Sequence, residues 1–179
     1  MPEATGTKRK HLPDPSEYAA YYGRYIDLLE DRPIPEILEE QAKTTLAFLR
    51  SIPESSGTHR YEPGKWSIKD LIGHVNDAER VFSHRALRFA RADTTALPSF
   101  EHDDYVRAAR SETRSLRDLI DEFEAIRRST VALFRSFGVE ELARSGIAAE
   151  NRVSVRALGG IIAGHERHHV RILKERYLA

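Results

Sequence analysis

Apolar residues recur at helical spacing in four long stretches of this chain, and no stretch alternates apolar and polar residues as a half-buried strand would. That pattern restricts the fold more than any other feature. From Pro35 to Ile52 the stripe is Leu38, Ala42, Leu46, Leu49 and Ile52, behind the helix-entry signal Pro33-Ile34-Pro35. Ser67 caps the second stretch, with Asp70 placed to complete a capping box. Leu71, Val75, Ala78, Phe82 and Phe89 carry its stripe to about Ala92. The third covers about 113–137, with Leu116, Leu119, Ile120, Phe123, Ile126, Leu133 and Phe134 on one face, and Gly138 stops it. Ser154 caps the fourth, which runs to about Tyr177. Four such helices predict an all-α four-helix bundle.

The remaining segments divide the chain. Residues 1–16 lack periodicity and read as a flexible N-terminal arm, which leaves 17–179 as a single bundle domain. Residues 17–31 hold four tyrosines and read as a short helix packed on that domain. Residues 93–112 are long for a bundle loop, a length that goes with function or with a crossover, and a helical turn is expected over 102–109. Residues 138–153 read as a plain connection.

Lys+Arg and Asp+Glu are both 28, so the chain has no overall pull on phosphate backbones and a generic nucleic-acid binder is disfavoured. Cysteine is absent, which excludes disulfides, thiolate metal sites and a Cys nucleophile, and fits a reducing cytoplasm. No apolar run has the length of a membrane span, and the polar, basic start Met1 to Lys10 does not read as a signal peptide.

The histidines carry the chemistry. His165 and His169 lie one turn apart on the same stripe as Ile161 and Ile172, so both face the bundle interior. Two imidazoles so placed can chelate one metal ion; the plain alternative is a pair of hydrogen-bonded core histidines. His74, on the flank of the second stripe, meets that pair if the two helices are neighbours. Three histidines with open positions make a catalytic-type site for one divalent ion, Zn, Ni, Fe or Mn. Asp77 is placed either to hydrogen-bond a ligand imidazole or to pair with Arg80. His168, on the shoulder of the stripe, is a residue of the rim or of the surface.

His165-Glu166-Arg167-His168-His169 also spells H-E-x-x-H, in which Glu166 would be a general base. The longer peptidase pattern calls for glycine and histidine where Ile172 and Glu175 stand, and no strand signal offers a substrate edge, so a peptidase is disfavoured. Glu166 stays a candidate base, although it points about 100° away from His165. Arg80, Arg85, Arg88 and Arg91 form a basic face beside Glu79, Asp93 and the acidic run Glu101 to Asp104. Ion pairing is the default reading of that face, and an anionic-substrate clamp the alternative. Arg85, Arg88 and the loop Glu101 to Asp104, Asp104 included, are candidates for the site's rim. Trp66 reads as a hydrophobic staple for the helix that follows it.

The order and spacing of several short segments resemble the DinB/YfiT-like family. Pro63-Gly64-Lys65-Trp66-Ser67-Ile68-Lys69-Asp70, Gly73-His74 and Asp77-Ala78-Glu79-Arg80 are similar to its first signature. Residues 85–91, Leu97-Pro98 and 100–105 resemble a central segment, and Ser154 to Leu158 with Gly164 to His169 the last. The resemblance implies an up-down-down-up bundle whose long connection is the crossover. It implies a divalent metal on His74, His165 and His169, one per chain, and a homodimer. Related members include thiol-dependent transferases and isomerases acting with bacillithiol or mycothiol; others are described as metal-dependent hydrolases. The expectation is therefore a metal-dependent enzyme activating a low-molecular-weight thiol for S-transfer to a small molecule. Its alternatives are a hydrolase and a non-catalytic metal-binding stress-response module.

Overall fold

The structure, a computed structural model, describes residues 9–179. The four expected helices are present: α2 (Ile34–Arg50), α3 (Ile68–Ala90), α5 (Leu116–Arg135) and α7 (Val155–Ile172). Shorter elements join them: α1 (Gly23–Ile26), α4 (His102–Ala109), α6 (Val139–Ala143), strands β1 (Ser145–Ala148) and β2 (Asn151–Ser154), and a closing π-turn (Leu173–Tyr177). Ser67, Ser115 and Ser154 cap α3, α5 and α7, each accepting from the backbone N–H three residues on; the Ser67 N–H in turn donates to the Asp70 carboxylate and completes the box. Among the described residues no helix is long and apolar enough to cross a membrane.

Cross-helix contacts give the topology. Gln41 meets Ala163 and Thr45 meets Glu166, so α2 and α7 run parallel. Arg50 reaches Glu124 while Arg135 reaches Glu39, so α2 and α5 are antiparallel. Asn76 bonds Leu119 and Glu79 bonds Arg127, so α3 and α5 are parallel. Tyr177, past the end of α7, donates to the carbonyl of Trp66, before the start of α3. The directions are therefore up, down, down, up. A parallel α3–α5 pair needs a connection spanning the bundle's length, and residues 91–115 supply it.

The apolar core falls into two clusters. One gathers Ile34, Leu38, Phe89, Phe134, Leu158 and Ile162; the other gathers Leu49, Ile68, Leu71, Leu116, Phe123 and Leu173. Between them lies a belt of buried polar residues, Gln41 and Thr45 on α2, Glu79 on α3, Arg127 and Thr130 on α5, and Glu166 on α7. The expected α2 stripe is corrected accordingly: Ala42 and Leu46 are only half-buried, and Gln41 and Thr45 face the core instead.

Two further expectations change. The connection 138–153 contains an antiparallel hairpin, in register from Ser145 opposite Ser154 to Ala148 opposite Asn151. Leu97 of the crossover bonds this hairpin on both sides, to the Ile147 carbonyl at 2.9 Å and from the Ala149 N–H at 3.0 Å. The hairpin thus holds the crossover on the bundle. Of the expected arm, residues 1–8 lie outside the described residues. Residues 10–12 are held by Asp31, whose carboxylate accepts three successive backbone N–H groups, and Leu12 is buried in the first apolar cluster.

Candidate metal centre

Antiparallel packing of α3 on α7 brings His74, two turns into α3, against His165 and His169. The Nε2 atom of His165 stands 3.1 Å from that of His74 and 3.1 Å from that of His169. All three ligand atoms fall within 4.8 Å of one another.

The electrostatics keep the rings neutral. Burial, with a contribution from nearby His102, brings His74 down to about 4. Burial first, then mutual repulsion, holds His165 and His169 well below the ordinary imidazole value. Three neutral imidazoles meeting through Nε2 cannot all be satisfied by one another, since each nitrogen is either a donor or an acceptor and His165 faces both neighbours. Lone pairs from all three nitrogens suit a single cation. The donor set, nitrogen only and unprotonated, fits a divalent transition metal. The Nδ1 atom of His169 is buried without a protein partner among the described residues.

The cluster forms the floor of a cleft of about 290 Å³. One wall is the tyrosine-rich segment expected as a single short helix, which here is two 3₁₀ turns and α1. Tyr25 packs edge-on against His165 (5.3 Å between ring centres) and His168 (5.4 Å), and burial raises its hydroxyl to about 12. Trp66 forms another wall, its indole 4.7 Å from the His74 ring, so the residue expected as a staple belongs to the site. The crossover supplies Phe100, Glu101 and His102, and the hairpin turn supplies Ala149.

The other candidates separate. His168 lines the cleft half-buried, its ring 5.1 Å from that of His169. Arg85 also lines the cleft. Asp77 is not brought to an imidazole; its carboxylate pairs with Arg80 at 3.6 Å. Asp104 is exposed and pairs with Arg107, away from the cleft lining. Glu166 is 1% exposed and, about 100° round α7 from His165, is turned into the core rather than the cleft. There Arg127 and the Thr45 hydroxyl engage its two oxygens, while Arg127 also makes two bonds to Glu79, at 2.9 and 2.7 Å. Burial pushes the Glu166 carboxyl up and Arg127 pulls against it. Burial likewise opposes the charge on Arg127, but the two carboxylates outweigh it.

A model of the DinB superfamily matches residues 37–173, which hold all three histidines and all of the four long helices but the first three residues of α2. The chain belongs to the DinB superfamily. No curated protein matches it. Among solved structures, the DinB-like YfiT from Bacillus subtilis superposes with a TM-score of 0.63 at 17% identity, over 93% of this chain and 91% of that one. YfiT is described as a probable metal-dependent hydrolase with an unusual four-helix bundle topology. At that identity the likeness establishes the shared fold. The sequence singled out His74, His165 and His169 and, as rim, the loop Glu101 to Asp104 that holds His102, but not Tyr25 or Phe100. Those two come from segments without helical periodicity.

Proposed function

We propose that this DinB-superfamily chain is a metal-dependent enzyme whose His74, His165 and His169 hold one divalent transition metal and whose cleft binds a small molecule. The observation that carries the reading is the convergence of three neutral Nε2 atoms on the floor of a cleft. A divalent metal bound there supplies Lewis acidity that lowers the pKa of a thiol or a water.

The residues around the histidines favour a thiol. Glu101 is the only carboxylate among the described lining residues, and Glu166 is turned into the core. A thiol, with pKa about 8.5, needs far less help to ionise than water, with pKa about 15.7. Trp66, Tyr25 and Phe100 narrow the mouth and offer ring faces to an apolar electrophile. Since the chain has no cysteine, the thiol is a co-substrate. Hydrolysis is the second reading, favoured by Glu101 at the rim as a group that can take a proton from water.

The test begins with metal content, by mass spectrometry, of untagged protein and of a His74→Ala, His165→Ala double variant. About one metal per chain in the parent and none in the variant is the expected result. The loaded protein is then assayed with a low-molecular-weight thiol plus an aryl halide, and separately with an activated ester in water. Thiol consumption that requires the metal supports transfer; metal-dependent ester cleavage alone supports hydrolysis.

A further inference from the structure

Three arginines of α3 and a fourth just past its end follow one another, and the structure separates one from the rest. Arg80 pairs with Glu122 at 2.6 Å, Arg88 pairs with Asp93, and Arg91 lies over the Phe137 ring at 5.8 Å. Arg85 is only 4% exposed, yet no carboxylate among the described residues pairs with it. One guanidinium N–H donates to the Pro98 carbonyl at 2.7 Å. The group lies beside two aromatic faces, 5.9 Å from the Phe82 centroid and 5.7 Å from that of Phe100. It lines the same cleft as the histidines, and Phe82 links the two, its ring 6.2 Å from that of His165.

A buried cation without a counter-charge is costly, and proteins ordinarily supply an anion to it. Here burial depresses the guanidinium's affinity for its proton, the sign expected when no carboxylate compensates. A guanidinium presents five donors in a fork matched to a carboxylate or a phosphate. One donor holds the crossover; the rest of the fork remains to be satisfied.

We infer that Arg85 is an anion subsite of the cleft, so that the small molecule bound there carries an oxyanion, a carboxylate or a phosphate, next to an apolar body. The inference rests on the proposed function for calling this cleft the substrate site. The oxyanion takes the free side of the Arg85 fork. The apolar body lies along Phe82, Phe100 and Tyr22, which extends from Arg85 toward the histidines. A molecule bound this way is oriented, its anionic end at Arg85 and its reacting end over the imidazoles. Arg24, the cleft's other cation, is exposed and stacked 3.9 Å from the Tyr21 ring centre, where water screens it.

Trp66 is the chain's one tryptophan and stands in this cleft, so its fluorescence reports occupancy. The metal-loaded protein is titrated with 3-phenylpropionate, with phenyl phosphate and with the neutral 3-phenylpropanamide. At least one of the two anions is expected to bind tenfold or more tightly than the amide, and the tighter of them identifies the oxyanion. In Arg85→Gln that preference should fall to near one, with metal content unchanged; Arg85→Lys should restore part of it. Arg24→Gln should leave it in place. Equal binding of acids and amide by the parent protein overturns the inference. So does an anion preference that survives in Arg85→Gln, which places the anion at the metal, or one that collapses in Arg24→Gln. Where a variant does not fold, the parent titration repeated after chelation serves instead: a preference lost with the metal places the anion there and overturns the inference. Repeating it after chelation separates the two readings: an anion preference persisting in protein that takes up no metal sinks the metalloenzyme and leaves the subsite standing.

Discussion

The backbone of Gly164 lies so close to that of Tyr25 that a Cβ at Gly164 would stand 2.2 Å from the Tyr25 carbonyl oxygen. Gly164 immediately precedes His165, and Tyr25 packs on the His165 ring, so this contact sets how closely the tyrosine wall approaches the histidines. Gly164→Ala must push backbone against backbone. It should destabilise the fold by about 1–3 kcal/mol, as overpacking does, read by urea denaturation. Metal content should be retained, since the short α1 segment that carries Tyr25, which bears no ligand, can give way in place of α7.

Removal of single histidines should give graded results. His165→Ala takes away the nitrogen that stands between the other two and should abolish metal uptake. His74→Ala and His169→Ala should each leave two ligands and weakened binding. His168→Ala and Asp77→Asn should keep the parental metal content. Competition against a chromophoric chelator orders these variants, and metal retained by His165→Ala would remove the three-histidine site from consideration.

The buried pair of carboxylates around Arg127 should behave as one unit. Arg127→Met leaves Glu79 and Glu166 without a counter-charge in the core and should cost about 3–5 kcal/mol at pH 7. Lower pH should shrink that loss, because protonation removes the stranded charge. Glu166→Gln keeps a partner for both Arg127 and Thr45 and should be milder. Because the carboxylate faces away from the cleft, the same variant should leave kcat within a few-fold of the parent; a loss of several hundred-fold would restore Glu166 as a base.

Metal-free protein should lose stability as the pH drops below about 6.5. In the unfolded chain the histidines titrate near that value. In the fold His74 titrates at about 4, and His165 and His169 lie well below 6.5. Within that window the unfolded chain binds more protons than the native one, so acid favours unfolding. The contribution is fully present above 6.5 and is lost as pH falls toward the native values. Thermal melts from pH 8 to 5 should show this drop, and His165→Leu should flatten it.

The hairpin turn offers a stabilising change. Ala149 and Glu150 sit at φ values of 49° and 63°, where glycine and asparagine are at home and other residues are strained. Glu150→Gly should stabilise the protein by about 1 kcal/mol, raising Tm by roughly 2–4 °C in calorimetry.

That turn also shows why part of the fold was illegible in the sequence. Hairpins with two left-handed central residues are recognised by Asn-Gly or Asp-Gly, and Ala149-Glu150 sends no such signal. The long helices were legible because stripe and cap agree, as at Ser67 and Ser154. Gln41 and Thr45 were not, because a polar residue on a core face is known only from the partner it meets, here Ala163 and Glu166 on a helix more than a hundred residues away. The histidine triad needed one assumption, that α3 and α7 are neighbours. Arg85 had the opposite difficulty. Four arginines in a row look alike until their surroundings sort them: carboxylates beside Arg80 and Arg88, the Phe137 ring beneath Arg91, and no carboxylate among the described residues at Arg85.

The hairpin's grip on Leu97 has an evolutionary consequence. Everything that touches the three imidazoles from below belongs to the bundle, whereas Phe100, Glu101 and His102 are strung on a tether fastened at Leu97. Changes downstream of that fastening can rewrite what the mouth admits while the ligand geometry is inherited intact. Such a division lets descendants of one histidine-bearing bundle diverge in what they bind before they diverge in architecture.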